Sequence, residues 1–226
     1  MCGRFAQVIK HQQLKKLQDE QKLKESSEQI ELNYNVAPTQ TVAAIVEQGS
    51  VRYFGYFRWG LIPSWKKEVP ASAMINVRSE SILEKPSFKA SFIRRRCLVP
   101  ANGFYEWRTG DKQPFFIKAA NDDLLFMAGI YDAWYGADGS YIPSLGIITT
   151  AANDLMKPLH HRMPLLFTRN NWDAWLDPQN QDLHNSGEAS LLNLLIPSAE
   201  IQLSLHPVSK RVNNVHNNDP ECLQEI

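Results

Sequence analysis

The sequence predicts an α+β fold, mostly antiparallel, with a barrel-like, strongly bent sheet and flanking helices. Three observations carry that expectation. Short runs rich in β-branched and aromatic residues follow one another with few helical segments between them. Turn residues divide those runs at hairpin spacing. The 226 residues, 43% apolar and 10% aromatic, suffice to bury a real core, and they show no repeat, coiled-coil period or disorder-prone composition.

Taken in order, residues 7–31 are rich in Lys and Gln, with apolar Val8, Leu14, Leu17 and Leu23 spaced for a surface helix with a thin buried stripe. Strands are predicted over residues 41–46, 51–59, 97–99, 104–108, 115–118, 124–130, 145–150 and 165–168. Thr109, Gly110 and Asp111 join two of these as a hairpin, and residues 136–139 form a second loop of that kind. A short helix is expected through Leu155, and two more over residues 170–176 and 187–195. Nothing resembles a linker, so a single domain over residues 1–226 is expected.

Lys plus Arg balances Asp plus Glu at 24 each, so no overall field draws the chain to nucleic acid, anionic lipid or acidic ligands, and any nucleic-acid site must be a local patch. Cys2, Cys97 and Cys222 are too few and too scattered for a disulfide framework or for zinc spacing, which points to a reducing compartment with no metal or cofactor. Cys97 reads as a small core residue and Cys222 as part of a polar tail. The first residues lack a basic-then-apolar leader, and no run of about 18 apolar residues occurs. A soluble, cytoplasmic and monomeric protein is the expectation.

Cys2 directly follows the initiator Met, whose removal would leave an N-terminal 1,2-aminothiol. The α-amine has an ordinary pKa near 7.7 to 8.0 against about 10.4 for Lys, so much more of it is neutral and nucleophilic at pH 7. It can attack an aldehyde to give an imine, on which the adjacent thiol closes a thiazolidine ring. No internal cysteine can do this. Asn76, Arg78 and Glu80 alternate along one face of an extended segment, which is either a solvated edge or an anion clamp. Glu106 falls opposite Tyr105 and Trp107, beside Phe104. It is either an exposed strand residue or a carboxylate set among rings and suited to proton transfer. His160 and His161 point apart, so at most one reaches a given site. Trp59 and Trp65, with Arg58, Lys66 and Lys67, interleave rings and bases as a single-strand groove does, and residues 88–89 and 94–96 could extend that patch. Core tryptophans with a basic rim fit the same pattern.

Seven motifs in order bring these residues into one resemblance: Cys2-Gly3-Arg4-Phe5, Tyr34-Asn35-Val36-Ala37-Pro38-Thr39, Arg58-Trp59-Gly60-Leu61-Ile62-Pro63, Ile75-Asn76-Val77-Arg78, Gly103-Phe104-Tyr105-Glu106-Trp107, His160-His161-Arg162-Met163-Pro164 and His206-Pro207-Val208-Ser209. From Cys2 to about Asn214 the chain resembles the SRAP family, the SOS-response-associated peptidase or abasic-site processing proteins. The resemblance implies recognition of abasic sites in single-stranded DNA and a thiazolidine crosslink through Cys2 that shields the lesion. It also implies an orienting role for Asn76, an acid/base role for Glu106, and a catalytic histidine, His160, with lyase chemistry and adduct reversal among the family's activities. Arg4, Asn35, Trp65, Arg78 and Arg162 are the implied DNA contacts. Val77 and Ser81 depart from the family pattern around the Asn-x-Arg motif, and His161 beside His160 leaves the histidine register open. A thiol peptidase or autopeptidase with Cys2 as nucleophile, and a non-catalytic DNA-binding module, are the competing expectations.

Overall fold

In the computed structural model, which describes residues 2–24, 30–183 and 190–226, most of the chain is short strands. They run β1 (Phe5–Gln7), β2 (Asn33–Val36), β3 (Thr41–Gln48), β4 (Val51–Trp59), β5 (Asn76–Arg78), β6 (Arg96–Ala101), β7 (Gly103–Trp107), β8 (Pro114–Ala119), β9 (Leu125–Tyr135), β10 (Tyr141–Ala151), β11 (Arg162–Pro164) and β12 (Leu203–Pro207). Helices α1 (His11–Gln21), α2 (Pro86–Arg94) and α3 (Trp172–Leu176) interrupt them.

The hydrogen-bonded ladders close on themselves. β3 pairs with β4 and β6, β6 with β9, β9 with β10, and β10 returns in parallel to β4. This ring is the barrel-like sheet the sequence predicts. β5 and β11 lengthen it along β10. A second sheet, in the order β12-β8-β7-β1-β2, is wholly antiparallel. Period-two alternation sends the ring's side chains to two places. Val42, Ala44, Val46, Trp59, Val99 and Met127 pack with Phe5, Phe104 and Ile117 of the second sheet. Ala43, Ile45, Leu98, Ala128 and Ile148 pack with Leu17 of α1, Phe88 and Phe92 of α2, and Trp172 and Trp175 of α3.

The helix expected over residues 7–31 is shorter. Gln7 belongs to β1, where its buried amide donates to the carbonyls of Ala43 and Pro100 and accepts from the Ala43 N–H. Three hydrogen bonds inside the core outweigh a helical turn at that residue. α1 starts where the Gln13 side chain accepts from the Lys10 N–H at 3.1 Å, and ends at Lys22, whose φ of 51° is left-handed. Residues 25–29 of that prediction lie outside the described residues. α2 fills residues expected to be basic surface. Pro86 opens it, Phe88 and Phe92 are buried, and Arg96, 3% exposed, caps its end through the carbonyls of Phe92 and Ile93 and reaches across to the Trp175 carbonyl of α3. Arg96 is thus no part of a DNA-facing patch. Residues 154–159 form turns in place of the short helix expected through Leu155. The strand expected at 165–168 lies a few residues earlier, as β11. Of the helix expected at 187–195, a single 3₁₀ turn at Asn193–Leu195 is present, and residues 187–189 lie outside the described residues. Both hairpins form as expected, with Trp107 opposite Pro114 and Tyr135 opposite Tyr141.

Candidate active site and nucleic-acid interface

Cys2 precedes β1 and is wholly buried beside Phe5 and Phe104. β1 lies between β2 and β7, so the amino-terminal residues are threaded through the middle of the second sheet. Three side chains from distant parts of the chain reach the same place. Asn76 opens β5, and its Nδ2 donates to the Cys2 carbonyl at 2.8 Å. Its Oδ1 is a buried acceptor without a hydrogen-bond partner among the described residues. Glu106 is buried on β7, on the face that carries Phe104, as strand alternation predicts. Its carboxylate acts electrostatically on both Cys2 and His160. His160 follows the turns at 154–159, and its Nδ1 accepts from the Arg162 N–H at 3.0 Å. His161 does not point away as expected from its neighbouring position: it stacks on the His160 ring with centroids 4.2 Å apart.

The electrostatics follow from burial. Desolvation first, then the Glu106 carboxylate, push the Cys2 thiol up to about 12, so the sulfur is protonated at neutral pH. Desolvation also lowers the His160 imidazole below its ordinary value, against the opposing pull of Glu106, which keeps the ring neutral near pH 7. The chemistry on offer is a protonated thiol, a neutral imidazole and a carboxylate around one residue, with an amide fixing that residue's backbone. Among the described residues, no three His, Cys, Asp or Glu side chains converge as a metal site requires.

The five residues expected to contact DNA divide by burial. Trp65 is 60% exposed, and the Lys66 ammonium lies 5.0 Å from its ring centroid. Arg78 is exposed on β5, two residues from Asn76. Those two stand where a strand of DNA can reach them. Arg4 is half-buried, its guanidinium 5.9 Å from the Trp107 ring, with Nη1 donating at 2.7 Å to Asn35 Oδ1 and to the Val212 carbonyl. Asn35 is wholly buried, and its Nδ2 donates to the carbonyls of Val212, Asn214 and Asn217. Its contacts are therefore internal, and they pin the loop of residues 212–217 against Arg4. Arg162 is 8% exposed and spent on Glu80, with Nη1 2.7 Å from Oε1 and Nη2 3.0 Å from Oε2, and on the Thr149 carbonyl. Direct contact with DNA does not follow from either residue's placement. Trp59 takes the core alternative, its indole donating to the Ile75 carbonyl at 3.0 Å. Cys97 is core as expected, but Cys222 is too: it is fully buried with Tyr105, Phe116 and Val208. The tail around it is polar in sequence yet folds back on β8 and β12.

Sequence reasoning missed Glu80 as the partner of Arg162, Trp107 as the donor to Asn213 at 2.7 Å, and the 212–217 loop as the partner of Arg4 and Asn35. The Asn-rich run from Asn213 to Asn218 was the available signal, since clustered Asn marks turns held by side chains.

The sequence matches the SOS response associated peptidase (SRAP) family over residues 1–215. It is 37% identical over 229 residues to the abasic site processing protein YoqW of Bacillus subtilis, an alignment covering 99% of each chain. It is also 37% identical over 196 residues to the abasic site processing protein HMCES of Gallus gallus, covering 75% of this chain and 56% of that one. The fold superposes on the crystal structure of a protein from Bacteroides thetaiotaomicron with a TM-score of 0.81 at 25% identity, over the whole of both chains.

Proposed function

Because this chain belongs to the SRAP family, we propose that it processes abasic sites in DNA by forming a covalent adduct through Cys2 once Met1 has been removed. The observation that carries the reading is the hydrogen bond from Asn76 to the Cys2 carbonyl, made next to two proton-carrying side chains. A half-buried amide spent on orienting the second residue of a chain is useful when that residue's own amine and thiol react.

The ring-opened abasic sugar presents an aldehyde. The Cys2 α-amine adds to it, and loss of one water gives the imine. The thiol sulfur then bonds to the same carbon while its proton passes to nitrogen, closing the thiazolidine. Each step needs a proton moved over a short distance. Glu106 and His160 serve as the acid and base, the His160 imidazole being held neutral by its burial. The Oδ1 of Asn76 offers a buried acceptor to the N–H and O–H groups that appear along the way. Trp65 stacks a base of the strand, and Arg78 meets its backbone.

A peptidase acting on other polypeptides requires a thiolate nucleophile. Burial holds the Cys2 thiol above its ordinary range, which opposes a resting thiolate, and the covalent reading calls on the sulfur only after the amine has formed an imine. The test compares protein with a mature Cys2 terminus against protein whose amine is blocked by an uncleaved tag. Mixed with a single-stranded abasic oligonucleotide, the mature form is expected to give an adduct stable to denaturation, and the blocked form none. An equal adduct from both would refute the reading.

A further inference from the structure

Glu80 is the member of the Asn76, Arg78 and Glu80 alternation that the chemistry above leaves without a task. It sits in the 3₁₀ turn Ser79–Ser81, immediately after β5. β5 pairs with β10 at Ile147, Ile148 and Thr149, and β11 pairs with β10 at Thr149, Thr150 and Ala151. Thr149 is opposite Arg78 on one side and Pro164 on the other, so β5 and β11 flank opposite edges of the same stretch of β10. The bidentate pair between Glu80 and Arg162 therefore spans β10. Thr149 reinforces it, accepting from the same guanidinium through its carbonyl and its hydroxyl.

Each end of this bridge leads to one half of the site. Four residues before Glu80, Asn76 holds the Cys2 carbonyl. At the other end, the backbone N–H of Arg162 donates to His160 Nδ1 at 3.0 Å, which leaves the proton of the neutral ring on Nε2. We propose that Glu80 is a positioning residue: by gripping Arg162 across β10 it fixes the spacing between Cys2 with Asn76 on one strand and His160 beside the other, and it holds His160 in its Nε2–H form. Because the carboxylate is 56% exposed on its side chain, a surface ion pair alone would contribute little to stability, and a geometric role explains why the fork is made in full. The proposal rests on the covalent reading given above for its kinetic consequence, though not for its structural one.

Glu80→Ala and Glu80→Gln in the mature full chain provide the test, because an exposed residue can be changed without emptying the core. Three quantities are read: the single-turnover rate of adduct formation at saturating abasic oligonucleotide, the affinity for the same strand without the lesion, and the imidazole ¹⁵N resonances of the free protein. Glu80→Ala is expected to slow the adduct about tenfold, as small misplacements of reacting groups do, and Glu80→Gln to restore the rate to within about threefold of the unmodified protein. Affinity for the intact strand should stay within about twofold, since Glu80 touches no phosphate. In Glu80→Ala the His160 resonances should move from the Nε2–H pattern toward a mixture of tautomers. An unaltered rate in Glu80→Ala, or equal losses of rate and intact-strand affinity, would overturn the proposal. If the unmodified protein itself gives no adduct, the covalent reading fails by itself, and the ¹⁵N spectrum still decides: an unchanged His160 pattern in Glu80→Ala would overturn the positioning role.

Discussion

On the helix-covered side of the barrel, Leu17, Phe88, Phe92, Trp172 and Trp175 close over Ile45, Leu98 and Ala128, and the buried Arg96 guanidinium ties the helices through the carbonyls of Phe92 and Trp175. On the Cys2 side the burial is as complete but the contents differ. Beside the rings of Phe5, Phe104 and Trp59 this side holds buried Glu106, Asn35 and Arg162 and half-buried Asn76, with hydrogen bonds from Arg4 to Asn35, from Asn76 to Cys2 and from Arg162 to Glu80. The first region stabilises the fold by removing apolar surface from water. The second spends part of that stability on buried polar groups, which cost free energy unless each finds a partner. The difference separates residues that keep the protein folded from the residues proposed above to make it react.

Removing a ring from the first region tests that separation most severely. Trp175 is fully buried, and its indole donates to the Cys97 carbonyl at 2.9 Å. Trp175→Ala should lower unfolding free energy by about 3 to 5 kcal/mol in urea titration, while the molecules that remain folded react at the normal rate. A folded but unreactive Trp175→Ala protein would mean that the two regions are not separable. Changes in the second region should show the converse. Glu106→Gln and His160→Gln are each expected to slow adduct formation about 100-fold, with intact-strand affinity within about twofold and stability within about 1 kcal/mol. Parallel loss of binding and rate in either would reassign that residue to the scaffold.

The smallest expected effect is on pH. His160 resists protonation in the folded protein relative to its ordinary 6.5. The unfolded chain then binds more protons than the native one as pH falls through that value, so stability present above it declines below it. Urea midpoints measured from about pH 8 down to about pH 5 should fall, and less so in His160→Gln. A steeper decline in that variant would reverse the sign assigned to the burial of this ring.

The same contrast explains what the sequence made legible. Thr41–Gln48 announces itself by a continuous apolar, β-branched run whose two faces are both covered, Val51–Trp59 by its aromatic residues, and Trp172 with Trp175 marks a helix face. β1, β2 and β12 were not visible. Each has only three to five residues, and each owes its extension to partners far along the chain: Phe5 to Val36 and Phe104, His206 to Phe116. The candidate site was legible as residue types and not as geometry. Cys2, Asn76, Glu106 and His160 stand out by residue type, but no local period brings a chain terminus, two strands and a loop together. Arg162 and Asn35 illustrate the limit. A charged or amide side chain in a motif reads equally as a ligand contact or as an internal brace, and the carboxylate that decides for Arg162 is 82 residues away.

The central claim is that an N-terminal aminothiol condenses with the sugar. It is tested most directly by the intact mass, under denaturing conditions and without a reducing agent, of the mature protein mixed with an abasic oligonucleotide. The expected species weighs the sum of the two molecules less one water and forms fully with Cys2 at the terminus, whereas Cys2→Ala, whose α-amine can still form a hydrolysable imine, leaves no such species stable to denaturation. A species of that mass persisting in Cys2→Ala, or forming on protein that retains Met1, would contradict it.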